Sequence, residues 1–88
     1  MWEIDQLHQS VKSILSQANM TTFNQWLTDI SNGEHPKTAA EKWDSNYEWL
    51  NSEQKYSIRL SKGNRVTFTL DTKNKKKVIT IYEVGGHY

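Results

Sequence analysis

Arg59 and Arg65 fall at polar positions of two neighbouring segments that alternate with period two. Tyr56, Ile58 and Leu60, then Val66, Phe68 and Leu70, form one apolar set, while Ser57, Arg59 and Ser61 alternate with the first and Arg65, Thr67 and Thr69 with the second. Lys62-Gly63-Asn64 between them has hairpin-turn chemistry, so the two arginines should share the face turned away from the core. An arginine pair projecting from a sheet can hold phosphate through charge-assisted, often bidentate hydrogen bonds and can stabilise charge that develops on it. Two arginines on a strand pair are by themselves more often a solvated face.

The tail Gly85-Gly86-His87-Tyr88 supplies a second candidate group. Histidine titrates near neutral pH and serves as general acid or base, and a tyrosine can stack on a base or orient a phosphate. The two glycines would let the chain leave the last strand and bring His87 and Tyr88 onto the sheet face. Activation of a ribose 2′-OH without metal also needs a carboxylate. Glu48, within Tyr47-Glu48-Trp49-Leu50 just before the sheet, can reach its edge, and Glu53 is the substitute.

The elements that must position these groups are expected to be a helical hairpin followed by a meander. Residues 1–4 read at most as a short edge strand. Asp5 caps an expected helix in which Leu7, Val11, Ile14, Leu15 and Ala18 recur at helical spacing. Thr22 and Gln25 have capping-box spacing for a second helix carrying Phe23, Trp26, Leu27 and Ile30 and stopped at Asn32-Gly33. Residues 33–54 read as a surface loop interrupted by Pro36, with a short helix between Thr38 and Trp43, anchored through Trp43, Tyr47, Trp49 and Leu50. After residues 56–61 and 65–70, a turn at 72–75 leads to a third strand at 78–82 that is apolar on both faces. The expectation is an α+β fold in which an N-terminal helical hairpin packs on a small antiparallel sheet, as one domain over residues 1–88.

Charge is distributed unevenly. Residues 1–54 carry three Lys and eight Asp or Glu, for −5, and residues 55–88 carry six Lys, two Arg, one Asp and one Glu, for +6. The basic half is a candidate phosphate-binding surface, with Lys62, Lys75, Lys76 and Lys77 beside Arg59 as RNA-contacting residues. With no cysteine there is no disulfide, thiolate zinc site or cysteine nucleophile. His8, His35 and His87 are widely spaced and have no acidic cluster, so no metal site and no cofactor is expected. Neither a phosphate-loop glycine pattern nor a nucleophile-elbow serine is present. No apolar run approaches the roughly 18 residues of a membrane span and no signal peptide is evident, so a cytoplasmic protein is expected.

The stretch 56–71, followed by a last strand and a closing His87-Tyr88, resembles the C-terminal half of RelE/ParE-superfamily toxins, and its ending is similar to YoeB-like members. The resemblance is strong from residue 47 and only a pattern before it. It implies a RelE-like, microbial-ribonuclease-like fold and a ribosome-dependent mRNA endoribonuclease. In that family the 2′-OH attacks the adjacent phosphate, leaving a 2′,3′-cyclic phosphate and a 5′-OH. Carried onto this chain, Glu48 matches the general base, Arg65 the phosphate-stabilising arginine, His87 the general acid and Tyr88 the substrate-orienting tyrosine; Arg59 matches a basic strand position. Trp49 after the glutamate, where proline is common, and Gly85-Gly86 before the histidine depart from the pattern. The implied partners are mRNA on the ribosome and a cognate antitoxin that folds over the basic sheet face, in a toxin–antitoxin hetero-oligomer or alongside a homodimer.

Three other readings remain open. A related ribonuclease fold could act as a delivered effector that cuts tRNA and is neutralised by an immunity protein. A ParE-like member would poison DNA gyrase by binding and would lack the acid-base set. A module that binds RNA or antitoxin without cleavage would show strong salt dependence and no activity.

Overall fold

The computed structural model describes residues 2–43, 45–61 and 63–86. The chain runs β1 (Trp2–Asp5), β2 (Ser10–Val11), α1 (Gln17–Ser31), α2 (Pro36–Lys42), β3 (Glu48–Leu50), β4 (Lys55–Ser61), β5 (Asn64–Lys73) and β6 (Lys76–Gly86). Strands outweigh helices, and they form one six-stranded mixed sheet in the order β1-β6-β5-β4-β3, with β2 on the same edge of β6 as β1. β1 and β2 run parallel to β6, and the other pairs are antiparallel.

This corrects the expected fold class. Strands come first, no helical hairpin occupies the N-terminus, and the sheet is mixed rather than antiparallel. The helix expected from Asp5 onward does not form. Trp2 to Asp5 pair with Lys77 to Thr80, and Ser10 and Val11 pair with Glu83 and Val84, so backbone hydrogen bonds to β6 outcompete local helical spacing. Asp5 caps a turn instead, its Oδ1 accepting from Leu7 N at 3.0 Å. The stripe meant for the core is largely outside: Leu7 is 88%, Val11 64% and Ile14 95% exposed.

Ser16 is the residue that starts a helix, its hydroxyl accepting from Asn19 N at 3.2 Å. Thr22 therefore sits inside α1, where its hydroxyl donates back to the Ala18 carbonyl at 3.2 Å. The end at Asn32-Gly33 is as expected: Asn32 is the C-cap and Gly33 has φ of +106°. The short helix before Trp43 also forms, but it starts earlier than expected: His35 is its N-cap and Pro36 opens it rather than interrupting the segment, so Thr38 lies inside it.

Phe23, Trp26 and Ile30 of α1 and Ala39 and Ala40 of α2 pack on Ile58, Val66, Phe68, Ile79, Ile81 and Val84 from the sheet. Trp26 is wholly buried, donates from Nε1 to the Pro36 carbonyl at 3.0 Å, and lies 5.0 Å from Phe68 between ring centroids. Tyr47 packs against the core and stacks on Tyr56 at 5.3 Å, as expected, whereas Trp49 meets Tyr56 edge-on at 4.8 Å but is 47% exposed, and the expected surface loop contains a sheet strand, β3. Trp43 is 40% exposed and bonds Asp29 through Nε1 at 2.8 Å.

The meander β4-β5-β6 follows the alternation. Asn74 and Lys75 close the long β5-β6 hairpin with φ of 52° and 64°, the two positive values a tight hairpin turn needs. β6 carries two extra residues. Tyr82 lies between the pairs Thr67↔Glu83 and Phe68↔Ile81, and Gly85 lies between Arg65↔Gly86 and Val66↔Val84. Gly85 and Gly86 thus extend the last strand rather than release the chain from it, and Gly85 has φ of +90° with its backbone pressed against Ser13. No helix among the described residues is long and apolar enough to cross a membrane.

Candidate nucleic-acid interface on the helix-free sheet face

Because Ile58, Val66, Phe68, Ile79 and Ile81 point to the helices, the alternating residues point to the other face. Two rows cross it. Arg59 pairs directly with Arg65, which pairs with Gly86; one step along, Glu48 pairs with Ser57, Ser57 with Thr67, and Thr67 with Glu83. Residues directly opposite in a ladder project to the same side, so Glu48, Arg59, Arg65 and Glu83 share one surface.

Arg65 is held on it by an ion pair. Its Nη2 meets Glu53 Oε2 at 2.8 Å, with 14% of the arginine side chain and 30% of the glutamate side chain exposed. Glu53 reaches it from the turn between β3 and β4, where Glu53 N bonds the Leu50 carbonyl at 3.2 Å. Its carboxylate occupies the position a phosphate oxygen would take on the guanidinium. Between Glu48 and Arg65 lie two ladder spacings and two residues, about 12 Å between α-carbons by strand geometry. Of the two carboxylates weighed for the base, Glu53 touches the arginine and Glu48 stands across the face from it. Ser57 and Thr67, paired in the row between Glu48 and Glu83, are fully buried.

The bulge at Tyr82 has its own support. Thr67 Oγ1 accepts from Glu83 N at 3.1 Å, replacing a ladder bond that the extra residue displaces. Tyr82 faces the same side as Lys55, whose Nζ lies 4.9 Å from its ring centroid, and as His8, whose ring is 6.3 Å away and tilted by 12°. Lys55, Tyr82, Glu83 and the His8 contact were not singled out from the sequence. Lys55 was legible, since it shares the parity of Ser57 and Arg59. Tyr82 was hidden in a run apolar on both faces, and the approach of His8 depends on pairing between the two ends of the chain.

The lysines of the expected RNA surface are not gathered here. Lys75 is at the β5-β6 tip, Lys76 pairs with Glu3 at 3.2 Å, and Lys77 Nζ lies 5.6 Å from the Trp2 ring centroid. Eight residue steps along β5 separate Arg65 from Lys73, about 27 Å at strand rise, so the tip and the arginine pair are opposite ends of one hairpin. A cleft of about 620 Å³ lies at that far end, lined by Glu3, Asp5, Lys73 and Lys76 among others, away from the arginines. His87, Tyr88 and Lys62 lie outside the described residues. Among the described residues no three His, Asp or Glu side chains converge as a metal-binding group.

No protein-family model matches the chain, and no curated protein matches it.

Proposed function

We propose that the helix-free face binds RNA and cleaves it without metal, by attack of a ribose 2′-OH on the neighbouring phosphate. The observation that carries this reading is the directly paired Arg59 and Arg65 with the Glu53 carboxylate on Arg65 at 2.8 Å. In the reaction a carboxylate takes the 2′-OH proton and the 2′-oxygen bonds to phosphorus. The P–O5′ bond breaks and the leaving oxygen receives a proton, which gives a 2′,3′-cyclic phosphate and a 5′-OH end. The arginines hold the non-bridging oxygens and offset the charge that grows on them. Glu53 leaves Arg65 when phosphate arrives and is then placed beside the reacting atoms, and Glu48 is the competing base. His87 is the proposed acid and Tyr88 its companion, on the strength of the sequence resemblance.

The same reading makes the chain the toxin of a toxin–antitoxin pair acting in the cytoplasm on mRNA at the ribosome. An acidic antitoxin segment that folds over the arginine face would inhibit it. Lys75, Lys76 and Lys77 would contact RNA outside the reacting centre.

The test is expression of the wild-type chain, followed by mapping of 5′-OH ends in cellular RNA, beside Arg65→Ala, Glu53→Gln, Glu48→Gln and His87→Ala at equal protein levels. Breaks lost in Arg65→Ala and in one glutamate variant support the reading and name the base. Glu53→Gln should also tighten RNA binding, since it removes the carboxylate that competes with phosphate for Arg65. Growth arrest without breaks would overturn the nuclease reading, and breaks confined to tRNA would move the target from mRNA to tRNA.

A further inference from the structure

We propose that Tyr82 and His8 form a nucleobase-stacking subsite next to the arginine pair, for the base of a single-stranded RNA about one nucleotide from the phosphate held there. The inference rests on the RNA-binding part of the function proposed above, and it concerns residues with no role in that chemistry.

Three features build the subsite. The bulge in β6 places Tyr82 on the helix-free face, and the Thr67 hydroxyl fixes the bulge by accepting from Glu83 N at 3.1 Å. His8 belongs to residues 6–9, which bow out between β1 and β2 where four residues span only two positions of β6. That bow is organised by its own bonds: Leu7 N to Asp5 Oδ1 at 3.0 Å, Gln9 N to Gln6 O at 3.1 Å, and Gln6 Nε2 to Gln9 Oε1 at 2.7 Å. An exposed histidine is thereby held with its ring nearly parallel to a tyrosine on the other side of the bow.

The ring geometry points to an aromatic guest. The two planes differ by 12° and their centroids are 6.3 Å apart. Rings so nearly parallel at that distance do not overlap fully. Part of each π face is therefore left uncovered by the other ring, and a base can stack on it. Lys55 Nζ, 4.9 Å from the Tyr82 centroid, adds positive charge beside the sugar–phosphate chain. By strand geometry Tyr82 is about 10 Å from Arg65, across one ladder spacing and between two and three residues along it, which is the reach of a single nucleotide step. Stacking of this kind is tolerant of base identity, because every base offers a π face.

The experiment compares two non-cleavable probes on the full chain: a 2′-O-methyl oligoadenylate tetranucleotide, and an abasic oligonucleotide with the same number of phosphates. Affinities are measured for wild type, Tyr82→Leu, Tyr82→Phe and His8→Ala. The wild type should bind the oligoadenylate more tightly than the abasic chain. Tyr82→Leu should weaken only the oligoadenylate, by about tenfold, and Tyr82→Phe should restore it. His8→Ala, a change in an exposed loop that leaves the sheet intact, should narrow the same difference. Equal binding of the two probes by wild type, or equal loss of both in the variants, overturns the subsite. If the wild type prefers the base-bearing probe yet never cuts RNA that carries a 2′-OH, the subsite stands and the nuclease reading falls.

Discussion

Substituting Gly85 by alanine tests the packing that closes the end of the sheet. An added Cβ would lie 2.6 Å from Ser13 Oγ, 2.7 Å from Ser13 O and 3.1 Å from Ser13 N, at a backbone φ of +90°. Two costs combine: a left-handed conformation forced on an L side chain, about 1 to 2 kcal/mol, and overpacking against backbone that has little room to retreat, about 1 to 3 kcal/mol. Gly85→Ala should therefore lose about 2 to 5 kcal/mol in denaturant unfolding, and its melting temperature should drop by about 10 °C or more. Gly33 provides the control, because its φ is +106° and nothing lies within 4 Å of its Cβ position. Gly33→Ala isolates the conformational cost, and the difference between the two variants is the clash. Ser13→Ala in the Gly85→Ala background should recover little, since the Ser13 carbonyl and amide remain in place. If Gly85→Ala costs no more than Gly33→Ala, the argument from close approach is refuted.

Ser16→Ala should destabilise the protein by about 1 kcal/mol through loss of the α1 cap, while Thr22→Ala changes stability little; paired urea titrations decide between these two starts for the helix. Trp26→Phe should cost about 2 to 4 kcal/mol in the same assay, because it leaves the buried Pro36 carbonyl without its donor and opens space beside Phe68. Burial, with Tyr56 nearby, pushes the Tyr47 hydroxyl up to about 12 from 10. Above pH 10 the unfolded chain therefore ionises while the folded one does not, so stability falls as pH rises from about 10 toward 12. Melting temperatures across that range should decline less in Tyr47→Phe, and an equal decline in both proteins would contradict the assignment.

The C-terminal sheet was legible in the sequence because its signals are local. Period-two alternation with turn residues at the chain reversals places β4, β5 and β6, and the parity of Arg59 and Arg65 puts them on one face. The N-terminal part misleads for the opposite reason. Leu7, Val11, Ile14, Leu15 and Ala18 keep helical spacing, but β1 and β2 are fixed by pairing with residues more than seventy positions away, which local periodicity does not encode. The two extra residues of β6 were hidden as well. A run apolar on both faces gives no sign of where an alternation skips, so the orientation of Tyr82 and the packing of Gly85 emerged only with the register. For the site, the sequence put Glu48 first and Glu53 as its substitute. Only the turn geometry brought Glu53 onto Arg65.

The parallel pairing of the first strand with the last also sets the order of assembly. β6 joins β5 to β1 and β2, so during synthesis the opening residues have no ladder to enter until the closing strand has emerged. The β4-β5 hairpin and the helices can form early from local contacts, whereas the edge made by residues 2–5 and 10–11 must wait for a long-range closure. A nascent chain halted before residue 76 would have both arginines but no β6 beside them, and residues 6–9 would have no strand to bow across. Assembly of the complete surface is thereby deferred until β6 has been made.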